Sequence, residues 1–175
     1  MVCASKAKVG FIGASYFIGW ILTMLFVPRI SDLFGRQKLL IGGGIVQSIP
    51  FAALVYTHSY AVAVTSLFIM GGLATITTQV GFIYAYENMR VKNYELTTIV
   101  LGLSEGFISV FGALYFSYIT KNYYPLILTG FVLTLLGTFG VLYYYESPRF
   151  LIKSGQITKA QEVLKVIAWR NGADP

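Results

Sequence analysis

The sequence is poor in charged residues and in the residue types that form disulfides or bind metals. Of its 175 residues, 11% are charged, one is cysteine and one is histidine, whereas soluble domains carry about 25% charged residues. The single Cys3 excludes a disulfide within the chain and leaves either a free thiol or a bond to another chain. No metal-ligand spacing, nucleophile-base pair or phosphate-binding loop is present. The sequence therefore predicts no enzyme, no cofactor and no metal.

What the chain has instead is long apolar runs, in keeping with an apolar fraction of 56%. A membrane-spanning helix needs roughly 20 apolar residues, and each run is long enough to supply them. The sequence therefore predicts an all-α integral membrane protein with five transmembrane helices. The runs cover residues 9–28, 39–57, 61–86, 96–120 and 126–145.

The basic residues indicate an orientation rather than a nucleic-acid partner. They flank the apolar runs and are not interleaved with aromatic residues, so the net charge of +6 does not predict nucleic-acid binding. An excess of Lys and Arg marks the cytoplasmic side of a membrane protein. The N-terminus is then outside, which leads us to expect a further helix before residue 1. The cytoplasmic set comprises Arg29, Arg36, Lys38, Arg90, Lys92, Arg149, Lys153, Lys159, Lys165 and Arg170.

Residues 147–175 differ from the preceding transmembrane bundle, which we place at residues 1–146. Ser147-Pro148 is typical of a helix N-cap followed by proline at the first helical position. Apolar residues then recur at helical spacing, and Asn171-Gly172 is typical of a helix end. This segment is predicted to form a cytoplasmic amphipathic helix that lies on the membrane or against the bundle.

Glu105 is the one charged residue within the five apolar runs. A charge deep in a span costs about 2.5–3.5 kcal/mol on insertion scales, and such residues usually face a cavity or a partner. Glu105 is therefore either a counter-charge or protonation site for a substrate, or a neutral acid hydrogen-bonded between helices. Other polar residues either line a substrate cavity with Glu105 or only join helices; they are Ser104, Gln47, Thr77, Thr78 and Gln79.

Two segments carry a resemblance to a known family. The loop "PRISDLFGRQK" resembles the signature of the major facilitator superfamily, with Pro28 and Leu33 departing from it. The segment "ESPRFLIKSGQITKAQEVLKVIAWRNG" resembles the region after the sixth helix of sugar porters and organic cation transporters, and Val2-Cys3 resembles the latter. The chain would then hold the second to sixth helices and the start of the central cytoplasmic domain. The loop residues that match are Asp32, Gly35, Arg36 and Lys38.

The resemblance implies a twelve-helix transporter whose two halves rock around a central site. Asp32 would contact the opposite half, and Glu146, Arg149 and Glu87 would form an intracellular latch. Arg90 would replace the usual partner of Glu87, because position 94 is tyrosine.

The implied partners are a small solute, the lipid bilayer and the remaining half of the transporter, and the implied location is the plasma membrane. Leu67 stands where the family often has arginine, which counts against proton coupling. Two alternatives stay open: a truncated, non-transporting membrane scaffold, and a sugar transporter.

Overall fold

The computed structural model describes residues 5–57 and 59–170, and over these residues it is helical without strands. Five helices are long and apolar enough to cross a membrane, which confirms the predicted fold class. They are Lys6–Met24, Arg36–Tyr56, Tyr60–Glu87, Tyr94–Ile119 and Tyr124–Leu142. The features noted at Val2-Cys3 and at Asn171-Gly172 lie outside the described residues.

The first span ends earlier than the apolar run predicts. Helix α1 covers Lys6–Met24, and a short break separates it from α2, which covers Val27–Phe34. Pro28 lies in the first turn of α2, where a missing N–H costs no helical hydrogen bond. The chain therefore bends just before the loop that leads to α3, Arg36–Tyr56.

The third span contains a π-helical turn. Helix α4, Tyr60–Thr75, passes into the π turn Ile76–Val80 and then into α5, Gly81–Glu87. Such turns insert one residue into a helix and occur often at functional sites. A second π turn, Tyr115–Ile119, follows α6, Tyr94–Leu114.

Glycines bring α1 and α4 into direct backbone contact. A Cβ atom at Gly71 would overlap the carbonyl oxygen of Tyr16, and a Cβ at Gly19 would overlap that of Phe68. Small residues allow this approach in a membrane, where helix association depends on close packing. The α1–α4 pair is thus specified by glycines on both helices.

Helix α3 is central, because it packs against both α4 and α7, Tyr124–Leu142. Gly44 lies so close to Thr138 of α7 that a Cβ would overlap its hydroxyl. The buried apolar core lies toward one end of these helices and consists of Val27, Leu40, Val80 and Tyr84.

Helix α6 is, with α7, one of the two least buried spans. Of its described residues, Thr97 alone is buried, and the Thr98 hydroxyl lies 2.9 Å from that of Tyr86. The helical period places Gly102, Glu105 and Ser109 on one face, opposite its bulky apolar residues.

Two short helices follow the last span. Helix α8, Pro148–Lys153, packs against α9, Ile157–Arg170, through buried Leu151, Ala160 and Val163. The Ser147 hydroxyl caps α8 by accepting the N–H of Phe150 at 3.3 Å. Helix α8 is therefore held against α9 by a small apolar seam of its own.

Candidate functional site

The loop between α2 and α3 is closed by Gly35, whose φ is +97°. Residues with a side chain rarely adopt this conformation. A Cβ here would also lie 2.6 Å from Oε2 of Glu146. Glycine at position 35 therefore permits both the turn and the approach of a segment from the other end of the chain.

Arg36 is a buried cation held by two carboxylates. Its Nη2 lies 2.7 Å from Oδ1 of Asp32, and its Nε lies 3.1 Å from Oε2 of Glu87. Nη2 also donates to Oε1 of Glu87 at 3.3 Å, so the guanidinium contacts both oxygens of that carboxylate. The side chains of Arg36 and Glu87 are only 9% and 6% exposed. Of these two contacts with Glu87, the one from Nη2 has hydrogen-bond geometry and the one from Nε is an ion pair without it.

Glu146 caps α3 from a distant part of the sequence. Its Oε1 accepts the backbone N–H groups of Arg36 at 3.1 Å, Gln37 at 3.0 Å and Ser147 at 3.0 Å. A carboxylate is favourable at a helix N-terminus, where unpaired N–H groups carry partial positive charge. Glu146 therefore caps the backbone of α3. The predicted latch of charged side chains did not include this role.

Ser147 completes the connection between these groups. Its hydroxyl donates to Oε2 of Glu87 at 2.6 Å, while its own N–H is bound to Glu146. We call Asp32, Arg36, Glu87, Glu146 and Ser147 the Arg36 cluster. It joins the first loop, the end of the third span and the segment after the fifth span.

Three hydrogen bonds fix the end of α7 beside the Arg36 cluster. The Gln37 side-chain amide donates to the carbonyl oxygen of Val141 at 3.1 Å and also to that of Tyr144. The Tyr84 hydroxyl donates to the carbonyl oxygen of Tyr145 at 2.5 Å. Sequence reasoning gave Gln37 and Tyr84 no role at this site and gave Ser147 only that of a helix N-cap, because uncharged residues in these positions carry no signal of a partner far along the chain.

The remaining predicted motif residues lie at the surface of this end. Asp32 is 46% exposed and also approaches Nζ of Lys153 at 3.5 Å. Lys38 is exposed, and Arg90 and Arg149 are exposed beside a cavity that Glu87 also lines. Glu87 forms a buried pair with Arg36, and the pairing of Glu87 with Arg90 stays a prediction.

The predicted substrate-cavity residues fall into separate groups. Gln47 and Thr77 line one cavity of about 430 Å³ between α3, the third span and α7. Thr78 is half-buried, and its hydroxyl bonds the Ala74 carbonyl oxygen of its own helix at 2.8 Å. Gln79 is also half-buried and, like Thr78, lies outside the described lining of that cavity.

Ser104 and Glu105 lie apart from these residues, on exposed parts of α6. The Ser104 hydroxyl bonds the Leu101 carbonyl oxygen at 2.7 Å. Within the described part of the chain, the Glu105 carboxylate has no hydrogen bond or ion pair. The described helices therefore do not supply the neighbouring helix that a hydrogen-bonded acid would need.

Removing the Glu146 carboxylate tests its capping role. We expect Glu146→Ala to lower the free energy of unfolding by about 1.5–3 kcal/mol, the range for hydrogen bonds to charged groups. Thermal unfolding of the purified protein in detergent, followed by circular dichroism, measures the loss. Glu95→Ala, which removes an exposed carboxylate in the first turn of α6, is the matched control. Equal melting temperatures for the two variants would contradict the cap.

Comparison with known proteins gives one matching family over nearly the whole chain. The family described as Major Facilitator Superfamily matches residues 2–172. Solute carrier family 22 member 2 of Rattus norvegicus is 24% identical over 98% of this chain, and organic cation/carnitine transporter 2 of Mus musculus is 26% identical over 98%. Low-affinity glucose transporter HXT3 of Saccharomyces cerevisiae is 28% identical over 93%. The chain spans about a third of the length of these relatives, 30–31% in each case.

Proposed function

The chain belongs to the major facilitator superfamily, and from this premise we propose that it is part of a transporter that moves small organic solutes across a membrane by alternating access. Membership in a superfamily of transporters accords with the prediction that it is an integral membrane protein and not an enzyme. Organic cations are the solute class we favour. The plasma membrane is the location we propose.

The Arg36 cluster is the observation that supports this proposal best. Alternating access needs each half to move as a unit while contacts between the halves form and break. The buried Arg36–Glu87 pair and the Glu146 cap tie three separate segments together at one end. That arrangement gives this half a rigid end, which we place at the cytoplasmic side because of its basic loops.

The exposed charges of the same end are suited to the contacts that change. Asp32 is half-exposed, and its 3.5 Å contact with Lys153 is made at the surface. Exposed ion pairs contribute 0–1 kcal/mol, so Asp32 can exchange Lys153 for a partner on the remaining half at little cost. We propose that Lys38, Arg90 and Arg149 belong to this exchangeable set and that the Arg36–Glu87 pair does not.

Glu105 supports an organic cation as the solute. It is the only acid within the five apolar runs and is unpaired among the described residues. A cation in the transport path would therefore offset the cost of placing the charge of Glu105 inside the membrane. Ser104, Thr78 and Gln79 remain proposed contributors to the path. A sugar is the second candidate, favoured by the yeast glucose transporter among the relatives.

A non-transporting scaffold is the third candidate. The described residues of α7 include none that is buried, and α6 is nearly as exposed. Such faces fit a subunit that packs against other membrane helices. They fit equally well one portion of a longer transporter, so the uptake experiment below decides between the two.

Uptake of radiolabelled tetraethylammonium into vesicles that contain the longest product of this gene tests the function. We expect saturable uptake that falls about tenfold or more in Glu105→Gln, because the counter-charge is lost while side-chain volume is kept. Glu95→Gln makes the same change at the exposed start of α6 and should leave uptake unchanged.

Other outcomes separate the alternatives. Uptake that survives Glu105→Gln would keep the transporter and remove Glu105 from the site. Glucose uptake without tetraethylammonium uptake would establish the sugar transporter. If organic cations, organic anions and sugars all fail to enter, transport is contradicted and the scaffold remains.

A further inference from the structure

Met89 forms a contact between the end of the third span and the start of α6. It lies in the turn that follows α5, and its Sδ accepts a hydrogen bond from Oγ1 of Thr97 at 2.8 Å. Thr97 is the buried residue of α6 described above. The same hydroxyl donates to the carbonyl oxygen of Asn93 at 2.9 Å, so its single proton is shared between a local acceptor and the sulfur. The link to Met89 therefore exists only while the sulfur accepts a hydrogen bond.

The other described polar and ring contacts between α6 and the third span also lie near the start of α6. The Tyr86 hydroxyl lies 2.9 Å from that of Thr98, and the Tyr86 ring packs edge to face against that of Tyr94, with 5.5 Å between the ring centroids. Beyond this point most residues of α6 are exposed. A change at Met89 therefore acts where α6 is attached to the third span.

Met89 is also open to small oxidants at this end of the protein. The residue is 46% exposed and lines a cavity of about 280 Å³. That space is far larger than a water molecule requires, and hydrogen peroxide is little larger than water. Met70 offers a comparison, because it is half-buried within the third span. Met89 is therefore the more accessible methionine of the two.

Oxidation of the thioether would remove the acceptor of the Thr97 hydrogen bond. Hydrogen peroxide transfers one oxygen atom to Sδ, which is oxidised to the sulfoxide, while the O–O bond breaks and the other oxygen leaves as water. The 2.8 Å between Sδ and Oγ1 of Thr97 leaves no room for an oxygen between them. An oxygen on the other side of the sulfur withdraws electron density from it. In either case Thr97 keeps only its bond to Asn93.

The cavity offers new partners to the oxygen of the sulfoxide. Arg90 and Arg149 line the same cavity as Met89, and both are exposed. A guanidinium group carries five N–H donors, and hydrogen bonds from a charged donor are stronger than those between neutral groups. The thioether of Met89 therefore suits Thr97, whereas its sulfoxide suits the arginine side of the cavity.

We propose that Met89 is a site of reversible oxidation by peroxides and that its sulfoxide releases the start of α6 from the third span. Methionine sulfoxide reductases return the sulfoxide to the thioether, so the release is reversible. The proposal does not rest on the transport function, and its test does not require transport.

Limited treatment of the purified protein in detergent with hydrogen peroxide tests the site. Mass spectrometry of the digested protein then follows the sulfoxide at each methionine with time. We expect Met89 to be oxidised several times faster than Met70, because it is the more exposed. Equal rates of oxidation at the two residues would overturn the site.

Hydrogen–deuterium exchange of residues 94–103 tests the release of α6. We expect exchange to become about threefold faster once Met89 is oxidised, in keeping with the small net contribution of one hydrogen bond. Treatment with methionine sulfoxide reductases should restore the former rate. Exchange that stays unchanged while Met89 is fully oxidised would overturn the release.

Met89→Leu assigns the effect to this sulfur, because leucine keeps an apolar side chain but neither accepts a hydrogen bond nor is oxidised. Its α6 peptide should exchange as fast as that of the oxidised parent protein, both before and after peroxide. Met70→Leu is the matched control and should respond to peroxide as the parent protein does. If peroxide accelerated exchange in Met89→Leu as much as in the parent protein, another residue would be responsible and the proposal would be wrong.

Discussion

We expect Arg36→Met to lower the free energy of unfolding by about 3–5 kcal/mol, the cost of removing one partner from a buried ion pair. The loss arises because Glu87 remains 6% exposed with no cation to balance it. Methionine keeps much of the aliphatic length of arginine, so lost packing contributes little. Thermal and urea unfolding of the purified protein in detergent measures the change.

Arg29→Met is the control for this prediction, because Arg29 is an exposed arginine of α2, in the segment leading to the same loop. It should change stability by less than about 0.5 kcal/mol. The double variant Arg36→Met with Glu87→Leu removes both charges, and we expect it to lose less than the sum of the two single variants. Equal stability of Arg36→Met and Arg29→Met would mean that the pair is not buried in the folded protein.

Gly71→Ala disrupts the packing of α1 against α4. The added methyl group would overlap the carbonyl oxygen of Tyr16, and backbone atoms cannot rotate away as a side chain can. The two helices must separate along their contact, and we expect a loss of about 3 kcal/mol, at the upper end of overpacking effects. The measurement is the melting temperature together with the yield of monodisperse protein.

Gly42→Ala is the matched control for the packing variant. It makes the same change within α3, where a Cβ meets no atom within 4 Å. Alanine is better than glycine inside a helix by roughly 0.5–1 kcal/mol, so this variant should be as stable as the parent protein or more stable. If Gly71→Ala and Gly42→Ala melted at the same temperature, the close approach of α1 and α4 would be wrong.

The spans were predictable because their physical cause is local. An uncharged run of about 20 residues has one favourable arrangement in a bilayer, and the five runs became five helices. The Asp32–Arg36 pair is close in sequence, but it joins α2 to α3 across the Gly35 turn, so helical spacing does not account for it. The break before Val27 was not read from the apolar run, although Pro28 is a local signal for a helix start.

The partners within the Arg36 cluster were not predictable from spacing. Arg36 and Glu87 are 51 residues apart, and Arg90 was a closer candidate along the chain. Which cation reaches Glu87 depends on how α3 lies against the third span, and that depends on packing along both helices. The cap by Glu146 was similarly hidden, because its partners are backbone N–H groups that no side-chain motif reveals.

The polar residues of the membrane interior show a second limit. Thr77, Thr78 and Gln79 are consecutive, so each points in a different direction from the helix. The π turn Ile76–Val80 changes those directions further, and its amino-acid composition does not predict a π turn. Sequence alone therefore grouped these residues by their depth in the membrane. In the structure, Gln47 and Thr77 line the same cavity, and Thr78 and Gln79 lie outside its described lining.

The separation of Glu146 from α3 has a consequence for biosynthesis. The acceptor for the backbone N–H of Arg36 is 110 residues further along the chain, so α3 emerges from the ribosome before its cap does. Asp32 is available to Arg36 at once, Glu87 after the third span, and Glu146 only after the fifth. The partners become available in that order, and a ribosome that stalls before residue 146 leaves an N-terminal portion that lacks the Glu146 cap of α3.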